Sequence, residues 1–131
     1  MGKYKKLDGL YNKGVYWPPQ VQAVVDHVLS YSYAMSPTNH ATEKITQLNL
    51  PTTCYKSLLF GEPVEATFEN GRLVKIVFRI ANTKNCFQDI CGAVRFNINE
   101  KDKNTASVIT VWTNSNTDNH STLKRENYAA Y

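Results

Sequence analysis

Residues 62–80 have the sequence EPVEATFENGRLVKIVFRI, and this stretch decides the fold class. Apolar and polar residues alternate on both sides of Asn70-Gly71, a dipeptide typical of a tight hairpin turn. A period of two places successive side chains on opposite faces of a sheet, so the stretch predicts two antiparallel strands. The apolar sets expected on one face are Val64, Ala66 and Phe68 in the first strand, and Val74, Ile76, Phe78 and Ile80 in the second.

Two further strands are predicted downstream, at residues 91–98 and 108–113. The first alternates apolar and polar residues, and the second is a β-branched run that contains Trp112. The polar run 114–119 cannot continue a strand and predicts a loop, which carries Asp118, His120 and Thr122. The expected apolar faces consist of Val94, Phe96 and Ile98 in the third strand, and of Ile109 and Val111 opposite Val108, Thr110 and Trp112 in the fourth.

The residues before the sheet predict two helices. Pro19 suits a first helical turn, and apolar residues at helical spacing predict a helix from Pro19 to Tyr33. Ser36 as N-cap and Pro37 in the first turn predict a short second helix that ends before Pro51. Residues 54–60 predict a helical turn or a short strand. The apolar sets are Val21, Val24, Val25, Val28 and Leu29 in the first helix, and Ala41, Ile45 and Leu48 in the second.

The 131 residues, 42% of them hydrophobic, suffice for a single domain with one core. We expect a basic, irregular N-terminal arm (1–16), a helical part (17–50), and an antiparallel sheet with a C-terminal loop (62–131). The arm either contacts phosphates or is a solvated tail. The predicted fold is α+β, with two N-terminal helices packed on a four-stranded antiparallel sheet.

Charge and cysteine content restrict the function classes. A net charge of +4 favours polyanionic partners such as RNA. Cys54, Cys86 and Cys91 fit no zinc spacing, and no apolar N-terminal segment indicates a signal peptide or a membrane span. We therefore expect reduced thiols in a cytoplasmic protein. The alternative is an exported toxin domain in which Cys86 and Cys91 pair.

The strand alternation predicts a polar sheet face opposite the helices. A phosphodiester needs cations that hold its charge, and an unpaired base needs a flat ring to stack on. A polar sheet face is also an ordinary solvated surface, so this pattern alone leaves both interpretations open. The residues that should share this face are Glu65, Lys75, Arg79, Arg95, Thr110 and Trp112.

Two histidines are candidates for acid–base chemistry. Metal-independent RNA cleavage needs a base for the 2′-hydroxyl and an acid for the leaving 5′-oxygen, and an imidazole serves either role. His40 falls in the first turn of the second helix, near Glu43 and Lys44, and His120 lies in the C-terminal loop. His27 is expected at a helix surface. No acidic cluster or cysteine–histidine spacing predicts a metal, and we expect no cofactor.

The order of these motifs resembles the small metal-independent ribonucleases of the barnase, EndoU, colicin and RelE group, including phage endoribonucleases of the RegB kind. The motifs are residues 39–45 (NHATEKI) on a short helix, the Asn70-Gly71 hairpin with its basic strands, residues 108–112 (VITVW), and residues 118–123 (DNHSTL). The helix of this group usually has an arginine a few residues after the histidine. Here Glu43-Lys44 and Gln47 stand in its place, which leaves the cationic partner to Lys44 or to the strands.

The resemblance implies a toxin-like endoribonuclease that leaves a 2′,3′-cyclic phosphate, with an antitoxin or immunity protein as a second partner. It implies His40 and His120 as acid and base, with Asp118 or Thr122 orienting His120. The other implied roles are phosphate binding by Lys75 and Arg79, a hydrogen bond to phosphate from Thr110, and substrate contacts from Lys44, Arg95, Trp112, Thr122 and Tyr128.

Two non-catalytic alternatives use the same sheet face. One is an RNA-binding or protein-binding module, and the other is a catalytically inactive relative of the ribonucleases that inhibits a partner. In a binding module, replacing Lys75 or Arg79 should weaken binding, whereas replacing His40 or His120 should have little effect. A position of the two histidines on opposite sides of the sheet would exclude a mechanism that uses both.

Overall fold

Six strands and three α-helices make up the part of the chain that the computed structural model describes, residues 7–98 and 103–117. The α+β class is as predicted. The elements in chain order are β1 (Gly9–Asn12), α1 (Pro19–Leu29), β2 (Ala34–Pro37), α2 (Asn39–Gln47), α3 (Cys54–Ser57), a 3₁₀ helix (Leu58–Phe60), β3 (Glu62–Glu69), β4 (Arg72–Ala81), β5 (Gln88–Asn97) and β6 (Thr105–Ser115).

The sheet is mixed and has six strands in the order β1-β3-β4-β5-β6-β2, rather than the four antiparallel strands predicted. The four predicted strands, β3 to β6, form an antiparallel meander at its centre. Each edge is a strand of four residues: β1 pairs with β3 in antiparallel fashion, and β2 pairs with β6 in parallel. Part of the predicted irregular arm is thus a strand. A four-residue strand is too short for alternation to identify it.

The second helix begins later than predicted. Ser36 and Pro37 belong to β2, and the N-cap of α2 is Thr38, whose Oγ1 accepts a hydrogen bond from the backbone N–H of Ala41 at 3.1 Å. The same hydroxyl donates to the carbonyl of Ile109 in β6 at 2.9 Å. Both residues, Ser36 and Thr38, have cap-forming side chains, and pairing of β2 with β6 selects the later one.

The first helix begins at Pro19 as predicted but ends at Leu29 rather than at Tyr33. The Ser30 hydroxyl donates back to the carbonyl of His27, and the Tyr33 hydroxyl donates to the carbonyl of Val28 at 2.6 Å. The Tyr33 ring packs edge-on against Phe96 of β5, with 5.0 Å between ring centroids. The helix therefore ends four residues earlier than predicted, where the Tyr33 side chain packs against β5 instead of continuing the helix. Residues 54–60 adopt the helical alternative, as α3 and the 3₁₀ helix.

The main core lies between the helices and one face of the sheet, which we call the core face. Because Gly92 has no side chain, Leu58 of the 3₁₀ helix packs directly on β5, where a Cβ at position 92 would lie 2.5 Å from Leu58 Cδ1. The buried helical residues include Val21, Val25, Val28, Ala41 and Ile45, and those of the sheet include Ala66, Phe68, Ile76, Phe78, Val94, Phe96, Ala106, Val108 and Val111.

Register shifts change which apolar residues face the core. A shift between β5 and β6 leaves Ile109 without a paired residue, so Val108 and Val111 are both buried in the core, whereas Val108 was predicted on the opposite face. A shift in β3 likewise moves Val64 to the other face, which we call the outer face, where it packs with Val77 and Ala93. Ile98, predicted to face inward, is 43% exposed at the end of β5.

Candidate nucleic-acid interface

The strand register places all six residues predicted for the polar face on the outer face of the sheet. Residues directly opposite each other on neighbouring strands project to the same face. Three rows of such residues cross the strands. The first, which we call the cation row, consists of Thr67, Lys75, Arg95 and Ser107. The second consists of Glu65, Val77, Ala93 and Thr110, and the third of Glu62, Arg79, Cys91 and Trp112.

The cation row brings two like charges together. Lys75 of β4 lies directly opposite Arg95 of β5, and neither forms an ion pair with any described residue. Like charges directly opposite each other destabilise a sheet. Arg95 is exposed and Lys75 is half-buried, with the hydroxyl residues Thr67 and Ser107 on either side. Two cations flanked by two hydroxyl donors form an arrangement that a bound anion would stabilise. The sequence does not predict Thr67 and Ser107 as part of this site. Their position beside Lys75 and Arg95 follows only from the register of the paired strands.

Arg79 differs from the other cations because its charge is neutralised. Its Nε donates to Oδ2 of Asp89 at 2.7 Å, and its Nη2 donates to the carbonyl oxygen of Ser115 at 2.6 Å. The side chains of Arg79 and Asp89 are only 11% and 23% exposed. Arg79 therefore joins β4, β5 and the end of β6, and this geometry favours a structural role over the phosphate contact that the resemblance implies. The sequence does not predict a role for Asp89, because the predicted third strand begins at Cys91 and β5 begins at Gln88.

Cys91 is fully buried beside Arg79 in the third row. Burial raises the pKa of its thiol to about 11; the positive charge of Arg79 opposes this rise, and the negative charges of Asp89 and Glu65 add to it. A thiol with so high a pKa is protonated at neutral pH and is a poor nucleophile. Cys54, Cys86 and Cys91 are all free cysteines.

Trp112 lies opposite Cys91 and packs against a small apolar cluster on the outer face, formed by Val64, Val77 and Ala93. The indole is half-buried, and Thr110, one row away, is also half-buried. Trp112 is therefore held in place by packing on one side and remains partly accessible to solvent.

The structure separates His40 from the outer face. His40 is exposed in the first turn of α2, as predicted, with Lys44 one turn further along. This helix packs on the core face through Ala41 and Ile45, whereas Lys75 and Thr110 project from the outer face. Within the described part of the chain, the His40 side chain forms no hydrogen bond with another residue. Asp118, His120, Thr122 and Tyr128 lie outside the described residues.

His27 lies at the surface of α1, as predicted. The Tyr31 hydroxyl lies 3.3 Å from its Nε2, and the two rings meet edge-on.

Residues 7–98 and 103–117 hold no group of three or more histidine, cysteine, aspartate or glutamate side chains arranged to bind a metal ion. Within the same ranges, no helix is both long enough and apolar enough to cross a membrane.

Comparison with protein-family models, with curated proteins and with solved structures finds no match to this chain. The arrangement of side chains on the outer face is thus the basis for a functional hypothesis.

Proposed function

We propose that the protein is a non-catalytic module that binds single-stranded RNA on the outer face of its sheet. The observation that carries this proposal is the position of Lys75 directly opposite Arg95, two cations that lack ion-pair partners among the described residues. A phosphate between them would relieve their repulsion and accept hydrogen bonds from both. The adjacent hydroxyls of Thr67 and Ser107 extend the same donor row toward both sides.

Trp112 supplies a surface for a base at a suitable separation from the phosphate contacts. Along β5, the row that contains Trp112 lies four residues from the cation row, which is about 14 Å in an extended strand. An RNA strand that runs along the sheet strands would place a phosphate on Lys75 and Arg95 and a base on the indole. Stacking on an aromatic side chain tolerates any base, so we expect weak sequence preference.

Binding fits the observed side chains better than cleavage does. Arg79 is held by Asp89 and the Ser115 carbonyl, and the Cys91 thiol is protonated at neutral pH. His40 lies on a helix of the core face, so it does not join Lys75 and Thr110 in one site. The outer face therefore offers phosphate contacts and a stacking surface, whereas both described histidines, His27 and His40, lie on helices of the core face.

The test is the salt dependence of RNA binding. Affinity of the protein for a labelled single-stranded RNA oligonucleotide is measured by fluorescence anisotropy over a range of salt concentrations. For single strands, each phosphate contact contributes about −0.7 to the slope of log K against log salt. The double variant Lys75→Ala, Arg95→Ala should therefore bind more weakly, with a slope reduced in magnitude by about 1.4.

The matched control is the double variant Lys56→Ala, Lys84→Ala, which removes the same charge from exposed positions outside the outer-face rows. It should retain a slope close to that of the wild-type protein. If both double variants reduce the slope equally, the RNA responds only to net charge, and the proposed interface is wrong. An unlabelled double-stranded RNA should compete poorly, because its bases are not available to Trp112.

A metal-independent endoribonuclease of the toxin type is the second candidate function. The observation that favours it is the solvent-exposed His40 with Lys44 on the next turn of the same helix, since an exposed imidazole is available for proton transfer. The protein is incubated with total RNA in EDTA, beside the double variant His40→Ala, His120→Ala. Cleavage by the wild-type protein alone, with 2′,3′-cyclic phosphate ends, would favour this candidate; intact RNA in both reactions would exclude it.

A further inference from the structure

A cavity of about 580 Å³ opens between the end of α1, β2 and α3. It belongs to the helical layer on the core face, so it lies on the opposite side of the sheet from the proposed RNA interface. Small-molecule sites in proteins typically have volumes of about 300–1,000 Å³, with mostly apolar walls and a few polar groups. The size of this cavity therefore suits a small organic ligand.

The floor of the cavity is apolar, and its side chains are held in place by the rest of the protein. Leu29, Tyr33, Met35 and Leu59 line it, and all four pack against the main core. Tyr33 is held at both ends, because its hydroxyl donates to the Val28 carbonyl at 2.6 Å and its ring lies against Phe96. A ligand would therefore enter a space whose walls need little rearrangement, which lowers the entropic cost of binding.

The rim of the cavity exposes aromatic surface to solvent. The Phe60 side chain is 91% exposed and Tyr31 is 41% exposed. Removing so large an apolar side chain from water is energetically favourable, and a ligand seated in the cavity would cover Phe60. The exposed ring and the apolar floor thus favour a ligand with a flat or aliphatic apolar body.

Among the described residues that line the cavity, Lys56 is the single charged one. It is exposed, forms no ion pair with a described residue, and lies with its Nζ 5.9 Å from the centroid of the Tyr55 ring. A cation at the edge of an apolar cavity selects for one negative charge at one end of the ligand. We propose that this cavity binds a small amphipathic anion, with its apolar body on the floor and its acidic group beside Lys56.

Two fluorescent probes that differ only in charge test this proposal. 8-Anilinonaphthalene-1-sulfonate carries one sulfonate, and N-phenyl-1-naphthylamine has the same ring system without it. Each is titrated into the folded protein, and the dissociation constant and stoichiometry are measured. We expect one bound molecule of the sulfonate per chain, with a contribution of about threefold to its affinity from the exposed ion pair with Lys56.

Variants locate the binding site. Lys56→Ala should weaken binding of the sulfonate about threefold and leave the uncharged probe unchanged. Phe60→Ala should weaken binding of both probes about fivefold, because both use the ring. Matched controls are Lys84→Ala and Phe87→Ala, which remove an exposed lysine and a 77% exposed phenylalanine away from the cavity and should change neither constant.

Three results would overturn the proposal: no binding of the sulfonate, binding of several molecules per chain, or binding that is insensitive to both Lys56→Ala and Phe60→Ala. Because Lys56 and Phe60 are exposed, these substitutions should leave the fold intact, which circular dichroism verifies. Neither probe contacts Lys75 or Arg95 in this proposal. Failure of the cavity hypothesis would therefore leave the RNA-binding hypothesis untouched, and the reverse also holds.

Discussion

Three cations on the outer face have different environments, although the sequence presents them alike. Arg79 is mostly buried and bound to a carboxylate and a carbonyl, whereas Lys75 and Arg95 face each other without an ion-pair partner among the described residues. Burying a charge requires a partner, and an exposed charge does not. At the scale of single residues, we therefore expect Arg79 to stabilise the fold, and Lys75 and Arg95 to be available to a ligand.

Replacing Arg79 should therefore affect stability, and replacing Arg95 should not. Arg79→Ala leaves Asp89 mostly buried without its ion pair and removes the hydrogen bond to Ser115, so we expect a loss of about 2 kcal/mol in the free energy of unfolding. Arg95→Ala, at an exposed position, should change it by less than about 0.5 kcal/mol. Urea denaturation of both variants measures the difference. Equal losses in the free energy of unfolding for the two variants would show that the Arg79–Asp89 ion pair makes no particular contribution to stability.

The buried thiol of Cys91 should make the fold sensitive to alkaline pH. Burial raises its pKa from 9.0 to about 11, so below pH 9 the thiol is protonated in both the folded and the unfolded chain. Above pH 9 the unfolded chain loses this proton first, which favours unfolding by up to about 3 kcal/mol as the pH approaches 11. The raised pKa of Tyr33, about 12, adds to the same trend at higher pH.

The measurement is the free energy of unfolding between pH 8 and 11 for the wild-type protein, Cys91→Ala and the exposed-cysteine control Cys86→Ala. Stability of the wild-type protein and of Cys86→Ala should fall steeply through this range. The decline should be shallower for Cys91→Ala, whatever its stability at pH 8. Parallel curves for all three proteins would mean that Cys91 does not contribute to the pH dependence.

At the scale of elements, the junction of β2 and α2 connects the edge of the sheet to the helical layer. Thr38 bonds both the first turn of α2 and the Ile109 carbonyl of β6. We expect Thr38→Ala to cost about 1–2 kcal/mol in the free energy of unfolding, because one hydroxyl serves both elements. Ser36→Ala, two residues earlier in β2, should cost less than about 0.5 kcal/mol, since Ser36 is exposed.

Thermal or urea denaturation of these two variants distinguishes the N-cap seen in the structure from the N-cap predicted by the sequence. A larger effect at Ser36 than at Thr38 would favour a helix that begins two residues earlier and would contradict the pairing of β2 with β6. The exposed helical variant Thr46→Ala serves as a control for the general effect of removing a threonine hydroxyl from α2.

Local sequence pattern predicts the central meander and the start of the first helix, because these elements are long enough for their periods to be recognised. It fails where a distant partner decides the structure. β1 and β2 form strands only through their pairing with β3 and β6, and Ser36-Pro37 is locally as suitable for a helix start as for a strand. The register shifts at Val64 and Ile109 likewise depend on the neighbouring strands.

The same limit applies to the candidate sites. Alternation along each strand predicts that Lys75, Arg95, Thr110 and Trp112 share a face, and the register agrees. It does not reveal that Asp89 neutralises Arg79, because this contact joins residues on two different strands. The cavity is beyond sequence reasoning, since its lining comes from α1, β2, α3 and the turns between them.

At the scale of the whole molecule, the sheet separates two surfaces of different chemistry. The outer face presents the cation row and Trp112, while the cavity beside Lys56 opens in the helical layer on the core face. The strands between them are packed tightly by residues such as Ile76, Phe78 and Val94, which are fully buried. We expect little coupling through this close-packed layer, because energetic coupling between two sites requires an element with two discrete arrangements.

Occupancy of one site should therefore leave the affinity of the other unchanged. Saturation of the cavity with uncharged N-phenyl-1-naphthylamine should change the dissociation constant for single-stranded RNA by less than about twofold, the limit expected for independent sites. Lys56→Ala should leave RNA affinity at the wild-type value, and Lys75→Ala, Arg95→Ala should leave probe affinity unchanged. A tenfold change in either direction would reveal a coupling free energy of about 1.4 kcal/mol through the sheet, and reciprocity requires that RNA then alter probe binding by the same factor.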